Sequence, residues 1–436
     1  MSRHRILAAA VTATLAAALA VTVPASPGSA QTALPEPLCG QEGTGGPTGG
    51  NAGTLRVATF NVLHSQTDEG EATLEARLPV QVQAMVDAGV EVVGLQEAVN
   101  STNHGKVAQR LAQGLATSTS QTWYWCWFQS NPHFPGEPDT QPGGGGGPLS
   151  EFMATAVKAG EARWTEGLGI LSRYPIAEKS VMRLTPRSYE AGFCVPPDPI
   201  DCNAAAFFDA RAVLRARIAA PGAPVDLYTT HLAHTLTPAS DATKLAQVLE
   251  VLAYINQTAG ADTTPDFLVG DFNSVEGSAV HQAVTGAGFV DTFRAARPND
   301  PGNTSDQRIL DPNSTVDHRI DYVFGRPGSC GLRALAGEVF ADEPVPYQGG
   351  SLWPSDHYAV VTTNACASNA GGGGNNLLGG TDVAGINEAA RTDPLPATGG
   401  RVPITAALLA LALAAAVTTA LRLVSFQPAQ ASAGRS

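Results

Sequence analysis

"TPDFLVGDFNSVEG", residues 264–277, is an apolar run that finishes in Asp271 and Asn273 with one phenylalanine between them. Residues i and i+2 of a strand face the same side, so Asp271 and Asn273 converge while Phe272 packs opposite. A polar side chain is costly to bury unless it pairs or binds an ion. A strand that ends this way therefore predicts a polar pocket at its end. The break recurs along the chain. Asn61 follows "VATF", Glu97 follows "VVGLQ", His231 follows "LYTT", Asp321 sits within "RIDYVF", and Asp356 with His357 precedes "YAVV". Repeated at several strand ends, the pattern describes one wall of a single pocket.

Between these points strand-like and helix-like pieces alternate. "LRVATFNVL", "VEVVGLQEA", "TWYWCWFQ", "LGILSRYPIAEKSVMRL", "ARAVLRARIA", "VDLYTTHLAH", "RIDYVFG" and "SDHYAVVTTNA" read as strands. "LEARLPVQVQAMVDAG" carries Leu74, Leu78, Val82 and Met85 at helical spacing, and "SDATKLAQVLEVLAYINQTA" reads as an amphipathic helix capped by Ser240 or Asp241. This order predicts a layered α/β domain, its sheets packed face to face and its helices outside. The aromatic run Trp123–Phe128 fits a strand buried on both faces better than a base-stacking or membrane-inserting surface. Residues 129–167, with "PHFPGEPDTQPGGGGGP", read as a long irregular insertion.

The ends carry addresses rather than fold. Residues 1–30 have Arg3 and Arg5, an apolar stretch and small residues before position 30, the pattern of a secretory signal. Residues 31–53 read as a Gly-rich linker, 54–366 as one folded domain, and 367–394 as a flexible stalk by composition. In 395–436 the motif Leu395, Pro396, Ala397, Thr398, Gly399 precedes an apolar span over 402–421, long enough to cross a bilayer. That arrangement resembles the LPxTG sorting signal of Gram-positive surface proteins, which implies sortase as a partner, cleavage between Thr398 and Gly399, and attachment to the cell wall. The tail has only scattered arginines where a basic cluster normally stands, so a plain C-terminal membrane anchor is the alternative.

Net charge is −13, and both processing events would remove arginines but no acid. Such a surface opposes non-specific polyanion binding, so a nucleic acid would have to be held locally or through a divalent ion. Six cysteines in an exported chain predict up to three disulfides, with Cys194 and Cys202, flanking "VPPDPID", the first candidate pair. No CxxC spacing suggests a metal site at the cysteines.

Carboxylates and amides are hard oxygen ligands that suit Mg²⁺ or Mn²⁺, and histidines beside carboxylates suit proton transfer. Together they suit phosphoester hydrolysis. "VATFNV", "GLQE", "GILSRYPI", "TTHL", "GDFNS", "RIDYVF" and "SDHYAVV", in this order over nearly all of 54–366, closely resemble the endonuclease/exonuclease/phosphatase superfamily, the DNase I-like fold. The resemblance implies a four-layer α/β sandwich, two packed mixed β-sheets flanked by helices, with the pocket at one edge of both sheets. It implies Glu97 as principal Mg²⁺ ligand (Mn²⁺ as substitute), with Asn61 beside it and Asp356 next to the metal. Asp271 would orient or deprotonate the attacking water, and Asn273 would donate to the phosphate. His357, oriented by Asp321, would be general base or phosphate contact, and His231 the acid for the leaving group or a second phosphate donor.

Other readings stand beside these. Asp321 would otherwise pair with Arg319, and Arg173 reads as structural. His64, His104, His133, His234, His281 and His318 carry no motif and read as surface or core, with His234 the first exception. Relatives that cut at abasic sites often place an acid two positions after the asparagine, where this chain has Leu63, which weakens a DNA-repair assignment. The expected function is a divalent-metal-dependent phosphoesterase acting on a phosphodiester substrate, nucleic acid first and with no obligate protein partner. A sphingomyelinase-type phosphodiesterase or an inositol-phosphate phosphatase is the second reading, and a non-catalytic adhesion module the third.

Overall fold

The computed structural model of the chain describes residues 36–45, 53–64, 68–101, 104–131, 166–184, 211–234, 238–259, 264–305, 307–328 and 330–367. The expected signal and sorting segments lie outside them, as do the expected stalk beyond Ala367 and Cys194 and Cys202.

Two sheets make the centre. The first contains β1 (Leu38–Glu42), β2 (Thr54–Asn61), β3 (Val92–Gln96), β6 (Trp123–Asn131), β7 (Glu166–Ser172), β14 (Gly331–Phe340) and β17 (Ala359–Ala367), in the order β1-β6-β7-β3-β2-β17-β14. The second contains β8 (Ile176–Arg183), β9 (Ala212–Ile218), β10 (Val225–His231), β11 (Asp266–Asp271), β12 (Val290–Asp291) and β13 (Asp321–Arg326), in the order β12-β13-β11-β10-β9-β8. Short ribbons pair β4 (Asn100–Ser101) with β5 (Gly105–Lys106), and β15 (Val345–Tyr347) with β16 (Gly350–Leu352). Each sheet is mixed: β2 runs parallel to β3 and β10 to β11, while their outer neighbours are antiparallel.

The inner faces meet through Val57, Val92, Leu168 and Ile170 from the first sheet and Leu214, Leu227, Phe267 and Val269 from the second. Helices α1 (Asp68–Asp87) and α2 (Val107–Thr119) cover the outer face of the first sheet. Helices α3 (Pro238–Ala259) and α4 (Ala279–Gly286) cover that of the second, and α5 (Thr292–Ala296) follows β12. Leu74, Leu78, Val82 and Met85 of α1 are all buried, as their spacing requires. The result is the four-layer α/β sandwich.

Several local expectations need correction. "LGILSRYPIAEKSVMRL" is not one strand but two, β7 and β8, in different sheets. The chain crosses over at Arg173–Pro175, where proline supplies no N–H for a ladder. Residues 38–42, inside the expected linker, form edge strand β1, paired with β6 and tied to it by the Cys39–Cys126 disulfide. The ends of the expected 129–167 insertion belong to β6 and β7. Helix α3 starts at Pro238, so Ser240 and Asp241 lie in its first turn rather than at its cap. A second disulfide joins Cys330 to Cys366 across β14 and β17. Trp123, Trp125, Cys126, Trp127 and Phe128 are buried, which settles that run as core.

Candidate active site

The strand directions bring the expected polar residues to one rim. In the first sheet β2 and β3 end together, Asn61 opposite Gln96, and Glu97 follows. In the second, β10 and β11 end together with His231 opposite Asp271, and the antiparallel β13 starts there, placing Asp321 opposite Asp271. Backbone in the left-handed region turns Glu97 (φ 60°) and Asn273 (φ 47°) out of their strands. Such conformations cost free energy in a non-glycine residue and persist where the surroundings over-determine them.

Asn61, fully buried, links the two halves: its Nδ2 donates to Glu97 Oε1 at 2.9 Å and to Asp271 Oδ2 at 3.1 Å. Its Oδ1 accepts from the Leu63 amide at 3.1 Å. Asp271 Oδ1 accepts from the Asn273 amide at 2.9 Å. Asn273 Nδ2 lies 3.1 Å from His231 Nε2 and donates to the Leu232 carbonyl. His357 Nδ1 meets Asp321 Oδ2 at 2.9 Å, so its Nε2 faces Asp271 at 3.7 Å. Asp321 thus partners His357, while Arg319 pairs with Asp291 and Glu276 at 2.7 Å each. Ser355 Oγ donates to the Asn61 carbonyl at 2.7 Å and lies 3.2 Å from Asp356 Oδ1, pinning the turn before β17 to the end of β2. Arg173 is structural, its amide bonded to the Glu91 carbonyl and its side chain near the Glu91 carboxylate.

Charges at the rim set the protonation states. Burial and the neighbouring Asp321 push the Asp271 carboxyl up to about 7. Burial disfavours a charged His357, but Asp321 and Asp271 outweigh it and hold that imidazole protonated well above the usual range. Burial and the Arg211 guanidinium drive His231 well below that range. Of the roles open to each histidine, phosphate contact suits His357, and a neutral His231 is not an acid at neutral pH. Burial opposes ionisation of Glu97, but the charge and backbone amide of His64 and the Asn61 side-chain amide keep it a carboxylate.

Three residues at the rim went unseen in the sequence. His64, read as an ordinary surface or core residue, donates its amide to Glu97 Oε2 at 2.9 Å and holds its ring Nε2 3.4 Å from the same oxygen. Glu166 opens β7, and Arg211 immediately precedes β9. Both strands run antiparallel to neighbours that end at the rim, so their rim residues stand at strand starts. Polar residues just before a strand are the signal that would have found them.

The donors fit a divalent cation. Ligand atoms of His64, Glu97 and Glu166 lie within 4.8 Å of one another, a nitrogen and two carboxylates on one side of the rim. Asp356 lies near enough for its charge to act on His64 and on Arg77. Asp271, Asp321 and His357 form a second such group, already bonded internally. In a third, Glu276, His281 and Asp291, the positions are taken by the guanidiniums of Arg294 and Arg319.

Residues 58–357 match the model of the endonuclease/exonuclease/phosphatase family. The chain belongs to this family. Every activity in that name breaks a phosphoester bond, and the chain is a hydrolytic phosphoesterase. No curated protein matches it. Among solved structures it is similar to an endonuclease/exonuclease/phosphatase family protein from Bacteroides thetaiotaomicron, at 17% identity over 71% of this chain and 94% of that one, with TM-score 0.49. It is similar to a mannosyl-6-phosphatase from the same organism, at 16% identity over 71% and 99%, with TM-score 0.49. It is also similar to truncated TDP2 from Caenorhabditis elegans, at 15% identity over 72% and 98%, with TM-score 0.45.

Proposed function

We propose that this family member is a divalent-metal-dependent phosphodiesterase, exported and attached at the cell surface, with nucleic acid as its first substrate. The observation that carries the reading is the meeting of Asn61, Glu97, His231, Asp271, Asn273, Asp321 and His357 from two sheets at one rim. Glu97 and its neighbours would hold the cation, which when bound supplies neutralisation of phosphate charge and Lewis acidity. Asp271, fixed by the Asn61 side chain and the Asn273 amide and with a pKa near neutrality, is placed to accept a proton from water. His357 directs a protonated Nε2 into the same space, where it binds a phosphoryl oxygen. Asn273 can turn its amide from His231 to the phosphate as charge develops.

Export is supported by the signal-like residues 1–30, and by two disulfides among the described residues, which suit an oxidising compartment. Wall attachment rests on Leu395–Gly399 and the span 402–421, with a C-terminal membrane anchor as alternative. Among the described residues no helix is long and apolar enough to cross a membrane.

The test is a panel of plasmid DNA, RNA, sphingomyelin and an inositol phosphate, with Mg²⁺ or Mn²⁺ and with EDTA. Nucleic acid is expected to be cleaved with metal and spared in EDTA. Undiminished turnover in chelator contradicts the metal reading, and selective turnover of sphingomyelin or the inositol phosphate moves the assignment to that substrate.

A further inference from the structure

No motif assigns His64 a role. Leu63 before it adopts φ 58°, a conformation uncommon in a side chain of that size. The turn is held from three sides. Leu63 packs against Ile309 and Trp353, Arg77 of α1 donates to the carbonyls of Val62 and Leu63, and Gln81 donates to the Val62 carbonyl. What this costly arrangement accomplishes is to bring an imidazole to Glu97, whose own backbone is left-handed.

A simple ion pair accounts poorly for the geometry. Glu97 Oε2 already accepts the His64 amide at 2.9 Å, and the ring nitrogen stands at 3.4 Å, long for a hydrogen bond. Glu166, buried on β7, closes the group, so one imidazole faces two carboxylates. Arg77, whose charge acts on His64, donates to the backbone carbonyls of Val62, Leu63 and Gly70. Two ligands of one ion, each at roughly 2.1 Å, stand about 3.0 Å apart at the right angle of an octahedral ion and about 3.4 Å apart at a tetrahedral one. His64 Nε2 and Glu97 Oε2, 3.4 Å apart, are within a few tenths of an ångström of both.

We propose that His64, with Glu97 and Glu166, makes the cation site a mixed nitrogen–oxygen site selective for Mn²⁺ or a later divalent transition ion over Mg²⁺. Imidazole is a good ligand for transition ions, whereas Mg²⁺ takes oxygen ligands and parts reluctantly with water. The inference rests on the metal-dependent reading and adds to it the identity of the ion.

The experiment measures binding on the full chain, without substrate. Mn²⁺ affinity is read from the EPR signal of the free ion, and Mg²⁺ affinity by competition. Pulsed EPR of the bound Mn²⁺ is recorded for nitrogen coupling in the wild type, His64→Gln and His231→Gln. The expected result is nitrogen coupling in the wild type that is lost in His64→Gln and kept in His231→Gln. The preference for Mn²⁺ over Mg²⁺ should fall about tenfold in His64→Gln. Wild-type Mn²⁺ without nitrogen coupling, or an unchanged Mn²⁺/Mg²⁺ ratio in a folded His64→Gln, overturns the proposal and leaves the metal-dependent reading standing. Failure of the wild type to bind either ion overturns both. The coupling in the wild type needs no variant to fold.

Discussion

Asp321 and His357 are separated by 36 positions and meet at 2.9 Å in a buried pair. The carboxylate does two things for the imidazole: it fixes the proton on Nδ1, and it favours the charged ring. Replacing it in Asp321→Asn removes the second. A histidine whose pKa is raised keeps its proton at low pH and loses it as pH rises through that raised value, so activity needing the imidazolium fails on the alkaline side. In Asp321→Asn that alkaline limb of kcat/KM should move to lower pH by about one unit or more, with kcat down roughly 100-fold. An unmoved limb would mean that His357 does not titrate in the profile. Asp291 offers a contrast, since its carboxylate serves stability. Burial opposes its charge, but hydrogen bonds from His281 and Arg319 prevail and hold the pKa at about 2. The unfolded value is about 3.9, so this stabilisation is complete above that pH and is lost as pH falls toward 2. Asp291→Asn keeps a capping side chain for α5 and should cost roughly 2–3 kcal/mol at pH 7. Urea denaturation should show the gap from wild type closing between about pH 4 and 2. At this scale the sequence showed Asn61, Asp271 and His357 plainly, because each interrupts an apolar run. It hid His64, whose place depends on a left-handed Leu63 that no local pattern announces.

Helices α1 and α3 carry polar residues at positions where the apolar spacing predicts core. Arg77 and Gln81 reach from α1 to the carbonyls of Val62 and Leu63, and Gln81 also to that of Pro354. Across the sandwich, Lys244 donates to the Asn273 carbonyl at 2.8 Å and Gln247 accepts from the Ala233 amide. Each helix therefore grips the loops that leave the rim of its own sheet. Lys244 is 4% exposed at its side chain and pairs with Asp241 at 2.9 Å. Lys244→Met should loosen Asn273 without emptying the core. The expected outcome is a kcat lowered at least about tenfold with KM little changed, an unaltered far-UV spectrum, and partial recovery in Lys244→Arg. Loss of folding without this kinetic signature would make Lys244 merely structural. Such residues are illegible in sequence because a lysine within an amphipathic helix reads as the solvated face. Element existence was easier to read than element partnership. "LGILSRYPIAEKSVMRL" contains two good strands, and only the packing of two sheets decides that a proline between them sends the chain from one to the other.

At the scale of the molecule, the chemistry is divided between the sheets. His64, Glu97 and Glu166 all hang from the first sheet, whereas His231, Asp271, Asn273 and Asp321 belong to the second. His357, from the turn before β17 of the first sheet, crosses to Asp321. Asn61, by donating to both Glu97 and Asp271, spans the seam. Beneath it a buried chain of Thr59, Gln96 and Thr229 crosses from sheet to sheet with hydrogen bonds of 3.2 and 2.9 Å. The alignment of the halves thus depends on how closely the sheets approach, and at Gly94 of β3 there is no room for a side chain between them. A methyl group there would stand 2.3 Å from a Val269 side-chain carbon and 2.8 Å from Thr229 Oγ1. Gly94→Ala must therefore push β3 away from β10 and β11, which costs about 1–3 kcal/mol as overpacking. Because the cation ligands all move with the first sheet, Mn²⁺ affinity should change less than about threefold. Turnover should fall about 100-fold, since a shift near 1 Å between reacting groups is enough for that. Calorimetric metal binding and steady-state kinetics on the same preparation separate the two effects. Equal losses in both would show that the cation, too, is held across the seam, with Asp271 or another residue of the second sheet among its ligands.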